Sequence, residues 1–123
     1  MVAGEGSDDP NPPPSAQTRV TRDLIVSEPA DDDINEYLAY LNERNPEAAR
    51  RFLQALHQAC DRLLSLPDVG HVWETTRQDL KGLRAWRVDD FPLSIFYFSR
   101  PDALEVIRVL HHARDIKAIL EEI

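Results

Sequence analysis

The sequence predicts a single α/β domain of the α+β type, in which a helical hairpin packs on a small antiparallel sheet. Two observations carry this prediction. Before the middle of the chain, two segments have apolar residues at helical spacing. After it, three strand-like runs are separated only by short polar breaks, and these runs are Leu83–Val88, Phe91–Ser99 and Ala103–His111. Breaks this short join antiparallel neighbours, so the three runs form a meander.

The composition fits one cytoplasmic domain. With 123 residues, of which 42% are hydrophobic, the chain can form one core without disulfides or metals. Its single cysteine, Cys60, has no partner for an internal disulfide, which fits a reducing compartment. There is no apolar run of membrane length, and the polar start lacks the apolar centre of a signal peptide. We therefore expect a cytoplasmic location, no membrane association and no cofactor.

The first 21 residues are predicted to be a disordered extension. They contain four of the nine prolines and almost no large apolar side chain. Such a segment buries too little surface to offset the entropy lost on ordering. The folded domain is therefore expected to span residues 22–123, and deletion of the extension should cost almost no stability.

A short strand and an acidic helix start follow this extension. Asp23–Ser27 contains three consecutive apolar residues and suits a strand added to the sheet. Pro29 suits a first helical position, and the acids Asp31, Asp32 and Asp33 suit a first turn, where the helix dipole favours negative charge. The same triplet resembles a metal site. Consecutive helical positions point about 100° apart, however, so dipole complementarity is the preferred interpretation.

Asn45 and Pro46 divide the helical part into a hairpin. Proline disfavours helical geometry in the residue before it and suits the first position of the next helix, which Asn45 can cap. The first helix has an apolar face formed by Ile34, Tyr37, Leu38 and Leu41. The second runs to about Ser65 and has core spacing at Ala49, Phe52, Leu53, Leu56, Cys60, Leu63 and Leu64. Within this stripe Cys60 is interpreted as a packed thiol and not as a nucleophile.

The second half of the chain begins with a connection and ends with a short helix. Pro67–Leu80 contains Gly70 as a breaker, and Trp73 is expected to fold back on the core. In the third strand, simple alternation places Glu105, Ile107, Val109 and His111 on one face and Val106, Arg108 and Leu110 on the other. Residues 113–123 are predicted to form a helix with an apolar side at Ile116, Ile119, Leu120 and Ile123.

These elements occur in an order that resembles a known toxin family. The matching pieces are Leu24-Ile25-Val26-Ser27 with Ala30, Asn45-Pro46 with Ala48-Ala49 and Phe52, Leu66-Pro67 with Gly70, Gly82-Leu83-Arg84, Phe91-Pro92 with Ile95-Phe96-Tyr97, and Ile107-Arg108-Val109-Leu110-His111 with Ala113-Arg114-Asp115. Together they make the span from Leu24 to about Leu120 similar to the ParE branch of the ParE/RelE type II toxin superfamily. The fold class expected is therefore RelE/ParE-like.

The resemblance implies a toxin that is neutralised by a cognate ParD-like antitoxin. Members of the ParE branch inhibit DNA gyrase, whereas RelE-like relatives cleave messenger RNA on the ribosome. A shared fold does not decide between these activities. The function expected is gyrase inhibition by protein–protein binding, and the alternative is a ribosome-dependent mRNA endoribonuclease.

Each activity has its own candidate residues. A ribonuclease needs an acid or base near the 2′-hydroxyl and cations near the scissile phosphate. The residues available for this are Arg84, Arg108, His111 and His112. A target-binding surface would use Arg84, Arg108, Arg114 and Lys117. For the histidines the competing interpretation is structural hydrogen bonding, and for Arg84 and Arg108 it is an internal ion pair.

Charge and apolar surface give the remaining expectations. The formal net charge is −8, which is unfavourable for general binding of nucleic acid, so no direct DNA binding is expected. A concave apolar region is expected for the antitoxin, which would fold along it as an amphipathic helix. Its residues are Leu38, Leu41, Leu93 and Leu110.

Overall fold

The computed structural model describes residues 22–122, and the expected disordered extension and Ile123 lie outside the described residues. The described part forms five strands, three α-helices and a short 3₁₀ helix, Gln78–Leu80. In chain order the strands and α-helices are β1 (Asp23–Val26), α1 (Glu28–Arg44), α2 (Pro46–Ser65), β2 (His71–Val72), β3 (Arg84–Arg87), β4 (Leu93–Ser99), β5 (Ala103–His111) and α3 (Ile116–Glu121). None of the helices within 22–122 has both the length and the apolar content of a membrane span.

The strands form one sheet in the order β1-β5-β4-β3-β2. Strands β3, β4 and β5 make the antiparallel meander that the sequence predicts, and β2 adds a short antiparallel edge. The β1 pairing with β5 is parallel, with Asp23 opposite Ala103 and Val26 opposite Val106. The sheet is therefore mostly antiparallel: after the helical hairpin the chain enters at the far edge with β2 and returns through the meander to β5, which runs in the same direction as its neighbour β1.

Local capping explains where both long helices begin. The Ser27 hydroxyl accepts a hydrogen bond from the Ala30 backbone N–H, so α1 begins at Glu28 and Pro29 is its second residue. Of the residues in its first turn, Glu28 and Asp31 are acidic, whereas Asp33 lies deeper in the helix and is buried. The Asn45 side chain accepts from the N–H groups at the start of α2, as predicted.

The helical hairpin covers one face of the sheet and forms the larger core. Phe52 is fully buried, and its ring packs edge-on against Tyr37 and Phe91 at centroid distances of 4.9 and 5.3 Å. The predicted stripe of α2 is wrong at Leu53, which is 42% exposed. Leu53 follows Phe52 and so points about 100° away from it, toward solvent.

The opposite face of the sheet carries a second, smaller core. Its buried residues are Leu80, Leu83, Phe96, Phe98, Leu110 and Leu120. Trp73 folds back on this cluster, as expected, and meets Phe96 edge to face with the centroids 5.6 Å apart. The covering helix α3 begins at Ile116, three residues later than predicted, because the Asp115 carboxylate caps it by accepting from the Ala118 N–H.

A β-bulge in β5 overturns the predicted division of its side chains. Tyr97 lies opposite Val106 and its neighbour Phe96 lies opposite Arg108, so Ile107 is an extra residue in the pairing. The extra residue shifts the alternation by one position. Val106 and Val109 therefore both belong to the larger core, whereas Ile107 packs against the smaller one.

Replacing Phe52 by alanine should destabilise the fold strongly. The change removes two ring contacts from a fully buried site and leaves a cavity, which should cost about 3–5 kcal/mol of unfolding free energy in a urea titration. Leu53→Ala, one residue later on the exposed side, is the matched control and should cost under about 1 kcal/mol. Equal losses for the two variants would contradict the orientation of α2.

Candidate functional site

A cavity of about 490 Å³ opens between α1 and the adjoining ends of β4 and β5. Three elements build it: α1 forms one wall, the strand ends form the floor, and the segment after β5 forms the opposite rim. The lining residues are Asp33, Glu36, Tyr37, Tyr40, Leu93, Val109, His111 and Arg114. We call this space the α1 cavity.

The α1 wall is a single helical stripe of acidic and aromatic residues. Asp33, Glu36, Tyr37 and Tyr40 are spaced i, i+3, i+4 and i+7, which places them on one side of the helix. The two tyrosine rings stack with centroids 5.8 Å apart and planes 17° apart. The Arg44 guanidinium lies 3.9 Å from the Tyr40 ring centroid. Tyr40 is nonetheless 48% exposed, so much of its side chain remains accessible to a partner.

A buried ion pair joins this wall to the floor. Asp33 accepts two hydrogen bonds from Arg108, at 2.8 Å from Nε and 2.9 Å from Nη2, and a third from the Val109 backbone N–H at 3.0 Å. The hydrogen bond to Asp33 raises the pKa of Arg108 above its usual value, against the effect of burial. Asp33 is only 8% exposed. The dipole interpretation of this aspartate is therefore wrong: its carboxylate is held by β5.

The other predicted sheet cation, Arg84, is also bound internally. It donates to the carbonyl oxygens of Asp68 and Gly70 at 2.9 and 2.8 Å. The Tyr97 hydroxyl fixes the same loop, because it donates to the Pro67 carbonyl and accepts from the Gly70 N–H. A Cβ at Gly70 would lie 2.5 Å from that hydroxyl oxygen, so the loop requires glycine there. Arg84 thus holds the chain between α2 and β2.

The two predicted histidines diverge from the end of β5. His111 lines the α1 cavity with its ring centroid 6.1 Å from that of Tyr37, and its Nδ1 accepts from the Ala113 N–H. His112 instead shares a 2.8 Å hydrogen bond with Ser94, through Nε2 and Oγ. The structure therefore does not bring the two imidazoles to one reaction centre.

The other predicted site residues, two cations and four leucines, also lie apart from one another. Arg114 lines the rim of the cavity, and Lys117 is exposed on α3.

The expected antitoxin-binding leucines do not form one open surface. Leu41, Leu93 and Leu110 are 9%, 2% and 1% exposed, and Leu110 belongs to the core on the opposite face of the sheet. Leu38 is half-buried against the larger core. The β-bulge in β5 and the burial of these side chains explain why the four leucines do not form the predicted surface.

Cys60 has the environment expected of a packed thiol. Burial, with a smaller effect from Asp61, raises the pKa of Cys60 to about 11, which leaves little thiolate at neutral pH. The acid triplet of α1 does not act as a cluster either, since Asp33 turns inward while its two neighbours are exposed. Within residues 22–122 no group of three or more histidine, cysteine, aspartate or glutamate side chains is placed to hold a metal ion.

A comparison with protein-family models decides the family. The model described as the ParE toxin of the type II toxin-antitoxin system, parDE, matches residues 24–116. The chain belongs to this family. It is therefore a type II toxin of the ParE family, as the order of its motifs indicates. A search of curated proteins gave no significant match.

Solved structures with the same fold include toxins and toxin–antitoxin systems. The chromosomal ParDE system from P. aeruginosa aligns with a TM-score of 0.61 at 15% identity, covering 74% of this chain and 96% of that one. The E. coli DinJ-YafQ toxin-antitoxin complex aligns with a TM-score of 0.53 at 17% identity, covering 76% and 96%. The YoeB/ParE toxin from Agrobacterium tumefaciens aligns with a TM-score of 0.50 at 17% identity, covering 73% and 98%. At these identities the likeness shows a common RelE/ParE-like fold.

Removing the charge of Asp33 should destabilise this ParE family member. Asp33→Asn leaves Arg108, which is 19% exposed, without its carboxylate partner, and should cost about 2–4 kcal/mol of unfolding free energy. The adjacent Asp32 is exposed, so Asp32→Asn is the control and should cost under about 0.5 kcal/mol. Urea unfolding of both variants tests this, and an Asp33→Asn variant as stable as wild type would rule out a structural ion pair.

Proposed function

We propose that this ParE family toxin inhibits DNA gyrase by binding it, without catalysis, and that a cognate antitoxin neutralises it by covering the α1 cavity. The observation that carries the first part is the bidentate contact between Arg108 and Asp33. A ribonuclease of this fold would need a sheet cation at the scissile phosphate. A substrate phosphate could bind the side of the Arg108 guanidinium that contacts Asp33 only by displacing the buried Asp33 carboxylate.

The electrostatics of the α1 cavity support the same proposal. Asp33 is paired with Arg108 and the other two charges that line the cavity, Glu36 and Arg114, are opposite, so the cavity has no excess of cations, and the whole chain carries a net charge of −8. Acidic groups repel a polyanion, and ribosome-bound RNA presents phosphates at high density. A protein partner does not require a positively charged surface, because aromatic and apolar contacts contribute most of the binding energy at protein interfaces.

The placement of the histidines also favours binding over catalysis. General acid–base catalysis at one phosphate requires both groups within hydrogen-bond reach of the reacting atoms. His111 and His112 are instead directed to different neighbours, one at the cavity and one at Ser94. The alternative from the sequence, ribosome-dependent cleavage of messenger RNA, therefore remains an outcome of the test below.

The antitoxin part rests on the open aromatic wall of the α1 cavity. Tyrosine is enriched at binding hot spots because it supplies a large contact area with few rotatable bonds. Tyr40 is half exposed at the cavity and stacks on Tyr37, so its ring is already ordered before a partner arrives. Two of the aligned structures are described as toxin–antitoxin systems or complexes, which supports a protein partner of this kind.

Induced expression should distinguish the two activities. We expect loss of plasmid supercoiling or gyrase-dependent DNA breaks, with ribosome-bound messages left intact in toe-printing. The His111→Gln/His112→Gln variant should weaken the growth arrest but not abolish it, because neither imidazole is assigned a catalytic step. Codon-position cuts that disappear in this variant would establish the ribonuclease and overturn gyrase inhibition.

Replacing Tyr40 by glutamine should weaken antitoxin binding while leaving the fold intact. The side chain is exposed, so the change removes contact area at the α1 cavity with little effect on the core, and affinity for the antitoxin encoded beside the toxin should fall roughly tenfold or more. Leu53→Gln, an exposed apolar residue on α2 outside the cavity, is the matched control. Weaker binding by the control alone would place the interface on α2.

A further inference from the structure

Three polar side chains meet at the end of the sheet where the α1 cavity opens, but on the opposite face of the sheet, and the proposed function does not use them. Arg87 is the last residue of β3, Ser94 lies opposite it on β4, and His112 follows β5. We call these three residues the polar corner. Of these three, only His112 is a site residue predicted from the sequence, because the proximity of the other two depends on strand register.

The geometry of the polar corner is fixed by the sheet. Directly opposed residues in antiparallel strands have Cβ atoms about 4.5–5.5 Å apart, which brings Arg87 and Ser94 together. The 2.8 Å contact between Ser94 Oγ and His112 Nε2 adds the imidazole. The His112 backbone N–H also donates to the Pro92 carbonyl at 2.8 Å, which anchors the residue that carries the ring.

Arg87 differs from the predicted cations of the sheet. Arg84 and Arg108 donate to groups inside the fold, whereas no carboxylate among residues 22–122 lies within ion-pair distance of Arg87. Its side chain is exposed. The guanidinium therefore presents its donors outward, next to a hydroxyl and an imidazole that already bond to each other.

Capture of an anion at the corner would change the protonation state of His112. Burial, then the charge of Arg87 on β3, then His111 on the same segment lower the pKa of His112, so its imidazole is neutral at neutral pH. An anion at the corner would oppose the effect of the Arg87 charge and favour the imidazolium. Protonated Nε2 would then donate to Ser94 Oγ, and the serine hydroxyl would be free to donate outward.

We propose that the polar corner binds a single carboxylate, from an aspartate or glutamate side chain of the antitoxin. This inference rests on the proposed function, in which the antitoxin covers the α1 cavity. His111 and His112 are consecutive but belong to opposite faces of the sheet, so an antitoxin chain that leaves the cavity at His111 and passes over the end of the sheet meets the corner. Arginine and serine donors match the oxygens of one carboxylate.

A nucleic acid fits the polar corner less well than a carboxylate. Phosphate backbones are bound by clustered lysine and arginine side chains. The corner has one permanent cation, and the exposed acids Asp89 and Asp90 begin two residues after it. A polyanion would meet these acids, whereas a lone carboxylate can pair with Arg87 alone.

A double-mutant cycle with the antitoxin tests the proposal. Arg87→Gln should weaken binding of the antitoxin encoded beside the toxin about tenfold, as should His112→Gln at the lower end of the pH range. Arg100→Gln is the matched control, because Arg100 is exposed near the opposite end of β4 and pairs with Glu105. Each acidic residue of the antitoxin is replaced in turn by its amide, and the affinity of each antitoxin variant is measured with the wild-type and the Arg87→Gln toxin. For the one antitoxin variant that lacks the bound carboxylate, Arg87→Gln should not weaken binding further. Additive losses for every acid would overturn the proposal.

The pH dependence and a small-molecule probe separate the remaining outcomes. Wild type should bind the antitoxin more tightly as pH falls from about 8 to about 6, and His112→Gln should lose this dependence.

If the wild-type complex does not form, the proposed neutralisation fails, and sodium acetate then tests the corner alone. By NMR, acetate should raise the pKa of His112 relative to sodium chloride at equal ionic strength, and an unchanged pKa would overturn carboxylate binding. An RNA oligonucleotide that binds wild type and not Arg87→Gln would also overturn it.

Discussion

The ion pair between Asp33 and Arg108 is the constraint on which the rest of the site depends. It ties α1 to β5 at the β-bulge, where the strand changes the face that its side chains occupy. The same carboxylate accepts from the Val109 N–H, so the side chain of one helical residue satisfies both a guanidinium and a backbone donor. Because both groups are largely buried, the contact fixes the helix more firmly than a surface pair would.

This constraint shapes the cavity as well as the fold. With Asp33 anchored to the strand, Tyr37 and Tyr40 follow one and two turns later on the same side of α1 and stand above the strand ends. The open space is therefore bounded by an aromatic wall and not by a row of cations. Two exposed cations lie near this space, Arg87 at the end of the sheet and Arg114 at the rim of the cavity.

The sequence predicts this structure well wherever the signal is local. The Asn45-Pro46 boundary, the Phe52 position and the short polar breaks of the meander each depend on residues within a few positions of one another, and each is confirmed. The parallel pairing of β1 and the bulge at Ile107 depend on partners far along the chain. Neither is visible in the hydrophobic periodicity, so simple alternation places Val106 and Val109 on different faces, whereas both belong to the larger core.

The site was predicted less completely for the same physical reason. From the sequence, an aspartate near the start of a helix is explained by its favourable interaction with the helix dipole. Only the contact with Arg108, which is distant in sequence, shows that Asp33 points inward. The stripe that continues through Tyr37 and Tyr40 could have been found from its i, i+4, i+7 spacing. The polar corner could not, because Arg87, Ser94 and His112 meet only through the register of three strands.

Arg108 serves the fold and does not bind a substrate phosphate. The most direct measurement is the growth arrest caused by the Asp33→Asn/Arg108→Met variant, with circular dichroism to establish that it is folded. This variant removes both charges while an amide oxygen remains to accept from the Val109 N–H, so neither charge is left unpaired. We predict a folded protein that arrests growth as wild type does. A folded variant that no longer arrests growth would contradict the claim and return Arg108 to the functional surface.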